Sequence, residues 1–371
     1  MKFRVEREAL ADAVAWTARS LPTRPPVPVL AGVLLEVEGH QLSVSGFDYE
    51  VSTQVVIEVD AAVAGRALVS GRLLAEITRA LPAHPVQITV AGSRAELTCG
   101  SARFTLPVMP VEDYPSLPAM PSTAGALESD VFASAVSQVA VAAGRDDTLP
   151  VLTGVRFEIA GERITMAATD RYRLAVRELD WRPSRPDLTA TALVPARTLS
   201  ETAKSMASGA EVTLALATGG TGEGMIGFAG AAKRATTRLL DGEFPKYRSL
   251  LPAEHSAIAL VPTGTLVEAV KRVALVAERN TPVRLRFSAD ELVLEAGGAD
   301  EAQASESLEA GFDGDELTIA FNPTFLLDGL NAIDSDTTRL AFTAATKPAV
   351  ITGKEGGTDY RYLLMPVRLS G

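Results

Sequence analysis

Apolar side chains recur along this chain with two periods, and the two alternate. Leu10, Val14, Thr17, Ala18 and Leu21 fall at the i, i+4, i+7 spacing of a helix with one buried face. So do Phe132, Val136, Val139, Ala140 and Ala143, and again Leu266, Val270, Val273, Ala274 and Ala277. A second set of helices is predicted over Leu73, Leu74, Ile77 and Leu81; over Leu199, Ala203 and Met206; and over Phe325, Leu326 and Leu330. Asn322-Pro323 is a start signal for the last, a capping side chain followed by proline at the first helical position. Between the helices run short alternating stretches such as Gln41–Ser45, Arg163–Ala167 and Glu291–Glu295, whose period of two predicts half-buried strands of antiparallel sheets.

The elements repeat as a block. Pro28-Val29-Leu30-Ala31-Gly32-Val33 returns as Pro150-Val151-Leu152-Thr153-Gly154-Val155, and Gly46-Phe47-Asp48 as Ala168-Thr169-Asp170. Both offsets are 122 residues (150 − 28 and 170 − 48). A third copy places Leu285-Arg286-Phe287 and Asp300 where Val155-Arg156-Phe157 and Asp170 stand, each 130 residues on (285 − 155 and 300 − 170). Units of roughly 120 residues are domain-sized. Proline-rich stretches at Pro107–Pro121 and Leu251–Pro262 separate them, giving expected domains at 1–122, 123–253 and 254–371.

Composition narrows the class. The 371 residues are 47% apolar and 22% charged, enough for packed cores in a soluble chain. No apolar run reaches the roughly 18 residues of a membrane helix, and the charged opening Met1-Lys2-Phe3-Arg4-Val5-Glu6 does not read as a signal peptide. A single cysteine, Cys99, leaves no intramolecular disulfide, so a cytoplasmic location is expected. The net charge of −11 argues against a basic nucleic-acid footprint over the whole surface, but not against cations gathered on one face.

Catalytic patterns are missing from the sequence. His40, His84 and His255 are scattered, and no Cys/His set has metal spacing. Gly222-Glu223-Gly224-Met225-Ile226-Gly227 matches a dinucleotide fingerprint, but strand patterns surround it where a helix start is needed, so a hairpin is expected. The recurring Asp48, Asp170 and Asp300 suit turns closed by the aspartate side chain better than acid–base catalysis. No cofactor or metal is implied. A hydrolase or transferase using Asp48 or Asp170 remains the rival from the enzyme class, and a monomeric peptide-binding scaffold the rival among binders.

The three-fold repeat carries four segments in order: Met1–Glu8, Ala168-Thr169-Asp170-Arg171-Tyr172-Arg173-Leu174-Ala175-Val176, Asp241-Gly242-Glu243-Phe244-Pro245-Lys246-Tyr247, and the Met365-Pro366-Val367-Arg368-Leu369 ending. Together they resemble the bacterial DNA polymerase III beta subunits, the sliding clamps, over the whole chain. The resemblance implies an α+β fold of three repeated clamp domains, each with two helices packed on antiparallel sheets, in a ring-shaped head-to-tail homodimer. It implies a non-enzymatic processivity factor that encircles duplex DNA without reading sequence. It would bind the polymerase III alpha subunit, the clamp loader and other clamp-binding proteins, and no membrane. The arginine-, alanine- and valine-rich composition suggests a high-GC, actinobacterial source.

Site residues follow by position from the same resemblance. A pocket for apolar partner peptides would comprise Leu152, Thr169, Arg171, Tyr172, Arg173, Leu174, Pro245, Leu250, Asn322, Phe325, Val350, Met365, Pro366, Val367 and Arg368. DNA-facing cations would be Arg7, Arg19, Arg24, Arg72, Arg79, Arg197, Lys204, Lys271 and Arg272. Phe104 and Leu106 would meet Ala274 and Leu275 across the dimer contact. Arg171-Tyr172 replaces the Gly-His of the best-known clamps, and Ser249 stands where an arginine can occur. Such changes in the pocket would also suit a second-copy clamp that resists a pocket-binding antibiotic.

Overall fold

The computed structural model describes residues 1–217, 224–278, 281–298, 302–354 and 359–368. Asp300, Leu369 and the Gly222-Glu223 part of the glycine motif lie outside them; Met225–Gly230 is a strand. Six α-helices are described: α1 (Arg7–Arg19), α2 (Gly71–Ala80), α3 (Ser129–Ala140), α4 (Ala196–Met206), α5 (Thr263–Val273) and α6 (Pro323–Asn331). Leu21, Ala143 and Ala277 extend the apolar stripes past the ends of α1, α3 and α5. Leu21 and Ala143 are buried all the same, so burial outlasts helix there. After α5 the chain tightens into a 3-10 turn, Ala274–Val276, which moves Ala274 and Leu275 off the helix.

The chain packs as two compact units. One holds Met1–Ala133, Arg182–Arg185 and Glu201–Leu239; the other holds Ser134–Trp181, Pro186–Ser200 and Leu240–Gly371. The first contains one sheet of fourteen described strands, the second one of nine and one of four.

Within these sheets the same four-strand order occurs three times. Gly65–Ser70, Gly32–Glu38, Gln41–Phe47 and Val51–Glu58 lie side by side in the first unit. In the second, Thr189–Pro195, Gly154–Ala160, Arg163–Thr169 and Arg173–Asp180 do so. The third set is Leu317–Phe321, Val283–Ser288, Glu291–Ala296 and Ala304–Glu309. The repeat read from Pro28 and Pro150 is therefore a repeat of sheet topology.

The fourth strand of each set differs in what it meets. Val51–Glu58 pairs antiparallel with Lys233–Arg238, and Arg173–Asp180 with Tyr360–Leu364. Ala304–Glu309 ends its sheet and has no strand beyond it among the described residues. One strand of the first unit has the complementary opening. Ala102–Met109 pairs along its length with Arg94–Cys99, but on its other side only Val108 and Met109 are paired. Each of these two strands, one in each unit, thus keeps an open side among the described residues, and an unpaired edge is a template for another strand.

The core of the first unit gathers Phe3, Leu10, Val14 and Trp16 against Leu35, Val44, Leu74 and Leu97. Leu106 belongs to it and is only 2% exposed. Phe104 lies on the same face of the strand two residues earlier, and its ring stays 38% exposed.

Candidate functional site

Asp48 and Asp170 build the same turn. Asp48 Oδ1 accepts from the backbone N–H groups of Glu50 and Val51, and Asp170 Oδ1 from those of Tyr172 and Arg173. In both turns the second residue is left-handed, Tyr49 at φ 74° and Arg171 at φ 78°. Asp48 and Asp170 hold their turns together by side-chain acceptance, as Asx turns do.

The second turn carries a network that the first lacks. Arg173, 5% exposed, donates from Nε to Asp170 Oδ2 (2.9 Å) and from Nη1 to Asp328 of α6 and to Tyr362 Oη (3.4 Å). Its guanidinium carbon lies 4.3 Å from the centre of the Phe325 ring. Burial disfavours the charged guanidinium, but Tyr362, Asp328 and Asp170 outweigh it and hold the group above the ordinary arginine range. Tyr362 is pushed up mainly by burial, and its hydroxyl donates to Phe325 O (2.7 Å). Thr169 Oγ1 donates to Arg173 O (2.6 Å), closing the turn from below. Asn322 caps α6 by accepting from the Thr324 and Phe325 N–H groups, which fixes where the Phe325 ring starts.

A cleft of about 510 Å³ opens over this network. Of the expected pocket residues it is lined by Leu152, Arg171, Tyr172, Arg173 and Phe325, joined by Leu149, Arg145, Asp146 and Asp328. The Tyr172 ring, 61% exposed, stacks on Phe325 with centroids 6.1 Å apart. Leu174 and Val350 belong to a neighbouring buried cluster with Phe244, Tyr247 and Leu363. Leu250, Met365 and Val367 remain exposed apolar side chains at the surface. Pro245 and Arg368 are exposed and Pro366 half-buried. Met365 N–H donates to Tyr172 O (2.9 Å), tying the C-terminal segment to the turn, and Val367 N–H donates to Ala320 O. Ser249 Oγ is turned onto Lys246 O in the 3-10 turn Tyr247–Leu250.

Sequence reasoning missed Asp328 and Tyr362. Asp328 stands three residues after Phe325 on α6, a spacing that puts both on one side of the helix. Tyr362 is a fully buried tyrosine in an otherwise apolar strand.

The expected DNA-facing cations Arg7, Arg19, Arg72, Arg79, Arg197, Lys204, Lys271 and Arg272 all sit on helices, and Arg24 on the loop before the 3-10 turn Pro28–Ala31. All are exposed except Arg7, which is half-buried. They are not equally available. Arg72 leans onto Pro22 O, Lys271 pairs with Glu268 (2.8 Å), and Arg272 pairs with Glu306 (2.5 Å). Lys233, absent from the expected set, lies 5.6 Å over the Trp16 ring and donates to Ser205 O.

Three family models cover the chain. They describe the N-terminal, central and C-terminal domains of the DNA polymerase III beta subunit and match residues 1–118, 126–246 and 248–368. The beta sliding clamp of Streptomyces coelicolor is 61% identical over 376 residues, covering all of both chains. A beta sliding clamp homolog, GriR, of Streptomyces muensis is 46% identical over 99% of each chain. Among solved structures, the sliding clamp of Pseudomonas aeruginosa bound to griselimycin superposes with a TM-score of 0.91 at 29% identity, and that of Bacillus subtilis with 0.92 at 25%, each over the full length of both chains.

Proposed function

This chain belongs to the DNA polymerase III beta subunit family, the sliding clamps, and from that premise we propose how it works: two copies close head to tail around duplex DNA and tether the replicative polymerase. The open sides of Ala304–Glu309 and Ala102–Met109 carry the reading. Val51–Glu58 meets Lys233–Arg238, and Arg173–Asp180 meets Tyr360–Leu364, so a fourth strand in this fold expects a partner. Ala304–Glu309 of one copy would find it in Ala102–Met109 of the next, with Phe104 and Leu275 beside the seam. Such a contact is heterologous, and two of them close a ring and end growth.

The domains are taken as 1–122, 123–253 and 254–371. Their helices present Arg7, Arg19, Arg72, Arg79, Arg197, Lys204, Lys271 and Arg272 to phosphates, and the loop after α1 presents Arg24, diffusely, so that the ring slides in the cytoplasm without reading bases. The clamp performs no chemistry of its own. Asp48 and Asp170, the residues an enzyme would need, are occupied by backbone N–H groups. The cleft beside Tyr172 and the apolar surface of Leu250, Met365 and Val367 would dock peptides of the polymerase alpha subunit, the clamp loader and other clamp users.

Loader-dependent retention on nicked circular DNA, repeated after the circle is cut, tests this. Retention on circles with loss from free ends is expected; equal retention on both would remove encirclement. Light scattering should give about 78 kDa, twice the 39.0 kDa chain. A specialised, inhibitor-tolerant copy is a second reading, favoured by the bulk of Arg171 and Tyr172 in the cleft. It expects weak binding of griselimycin, and tight binding would dismiss it.

A further inference from the structure

From Arg238, where one strand ends, to Ala257, where the next begins, the chain forms no strand; its regular piece is the 3-10 turn Tyr247–Leu250. This stretch carries two of the expected docking residues, Pro245 and Leu250, both exposed. Phe244, Tyr247 and Leu251 pack into the cluster of Leu174, Val350 and Leu363. Apolar packing sets the depth of the turn, but it is non-directional and leaves the angle of the turn open.

Direction comes from one carboxylate. Glu158, on the strand Gly154–Ala160 and with its side chain 23% exposed, accepts on Oε2 from Tyr247 Oη (3.1 Å) and from Arg248 Nη2. Its Oε1 accepts from Arg156 Nε (2.9 Å), two residues earlier on the same face of the strand. Between residues 241 and 253, the bonds of Tyr247 and Arg248 to Glu158 are the hydrogen bonds that leave the segment, among the described residues. Ser249 Oγ donates to Lys246 O and Tyr247 N–H to Pro245 O, both inside it. The Arg248 guanidinium carbon lies 5.6 Å from the centre of the Tyr247 ring, so both donors approach the carboxylate as one packed group. An exposed ion pair alone would hold little. Charge-assisted bonds converging on a half-buried carboxylate hold a fixed geometry.

We propose that Glu158 is a positioning residue for partner docking: by gripping Tyr247 and Arg248 with one carboxylate, it sets the turn that presents Leu250. The inference rests on the docking role proposed above and adds a residue that touches no partner. Leu250 is 50% exposed and makes no hydrogen bond of its own through its side chain, so its direction is inherited from the turn. A turn released from Glu158 would keep its apolar anchors and lose the fixed placement of Leu250, and a loosely placed contact binds less well because ordering it costs entropy.

Titration calorimetry on the full-length protein tests this with a synthetic peptide carrying a Leu/Phe apolar core. Glu158→Ala should weaken binding about threefold to tenfold, with Leu250→Ala similar. In the Leu250→Ala background, Glu158→Ala should cost less than about twofold more, because the two act through one contact. Glu158→Gln, whose amide oxygen can still accept the Tyr247 hydroxyl, should restore part of the affinity. Tyr247→Phe, which keeps the ring, should show the same coupling to Leu250 and serves if Glu158→Ala does not fold. Val44→Ala, a cavity in the core of the first unit, is the control for lost stability; it should melt earlier and bind the peptide as the wild type does. Unchanged affinity in Glu158→Ala and Tyr247→Phe overturns the proposal and leaves the docking site standing. So do losses that simply multiply with that of Leu250→Ala, since they would report a general loosening. If the wild type binds no peptide, the docking reading falls and this one with it.

Discussion

Arg173 stands between two carboxylates, Asp170 of its own turn and Asp328 of α6, while its flat face rests 4.3 Å from the centre of the Phe325 ring. One buried cation therefore fixes the turn, the helix and the ring that floors the cleft. Arg173→Met would keep the volume but leave both carboxylates without their shared partner. A cost of about 3 kcal/mol is expected, since half of a buried pair is worse than none. Arg173→Lys should fall between, keeping the charge but not the planar fork. Thermal unfolding checks this; an unchanged melting temperature in Arg173→Met would show that the network contributes nothing.

Met365 is held through its backbone, by its N–H on Tyr172 O, and its side chain is 41% exposed. The side chain can change without disturbing the fold beneath it. Met365→Asp should weaken binding of an apolar clamp-user peptide by about 2 kcal/mol, by placing a charge in an apolar contact. The dimer should survive. Calorimetry and light scattering read the two effects separately, and unchanged affinity would remove Met365 from the site.

Glu158 offers a pH test. Burial alone would push its carboxyl up, but Arg248, Arg156 and Tyr247 outweigh it and hold it below its ordinary 4.5. Tyr247, buried beside it, is pushed up to about 12. A depressed carboxyl contributes stability above its unfolded value and loses it as pH falls toward the folded one. Wild type and Glu158→Gln should thus differ by about 1 kcal/mol at neutral pH and converge as pH falls below 4.5. Unfolding across that range checks the sign; a gap that widens in acid would reverse it.

What the sequence made legible was what repeats. Pro28 and Pro150, Asp48 and Asp170 mark equal places in equal strand sets because turn geometry constrains residue type directly. Leu10, Val14 and their counterparts were legible because a helix buries one face. The helix ends were not, since Leu21 and Ala143 continue the apolar stripe after the helical hydrogen bonds stop. The depth of Leu106, 2% exposed, was not legible, because sequence pattern gives the face of a strand but not how far the core covers it. Asp328 and Tyr362 stayed hidden for a related reason: their roles depend on Arg173, 155 and 189 residues away, and no local pattern encodes such a pairing.

Gly329 shows how tightly that long-range contact is built. It sits inside α6, where alanine would ordinarily gain up to about 1 kcal/mol of helix propensity. Here an added Cβ would overlap the ring of Tyr362, which is fully buried and cannot retreat to solvent. Displacing the ring would stretch its bonds to Phe325 O and to Arg173. Overpacking of this kind costs about 1–3 kcal/mol, so the overlap should win over propensity. Gly329→Ala is expected to melt earlier and to bind an apolar clamp-user peptide more weakly, through Phe325. Gly264→Ala in α5, where an added methyl meets nothing within 4 Å, is the matched control and should lose neither. If Gly329→Ala proved as stable as that control, the Tyr362 ring would have room to move, and the rigid floor assigned to the cleft would have to be given up.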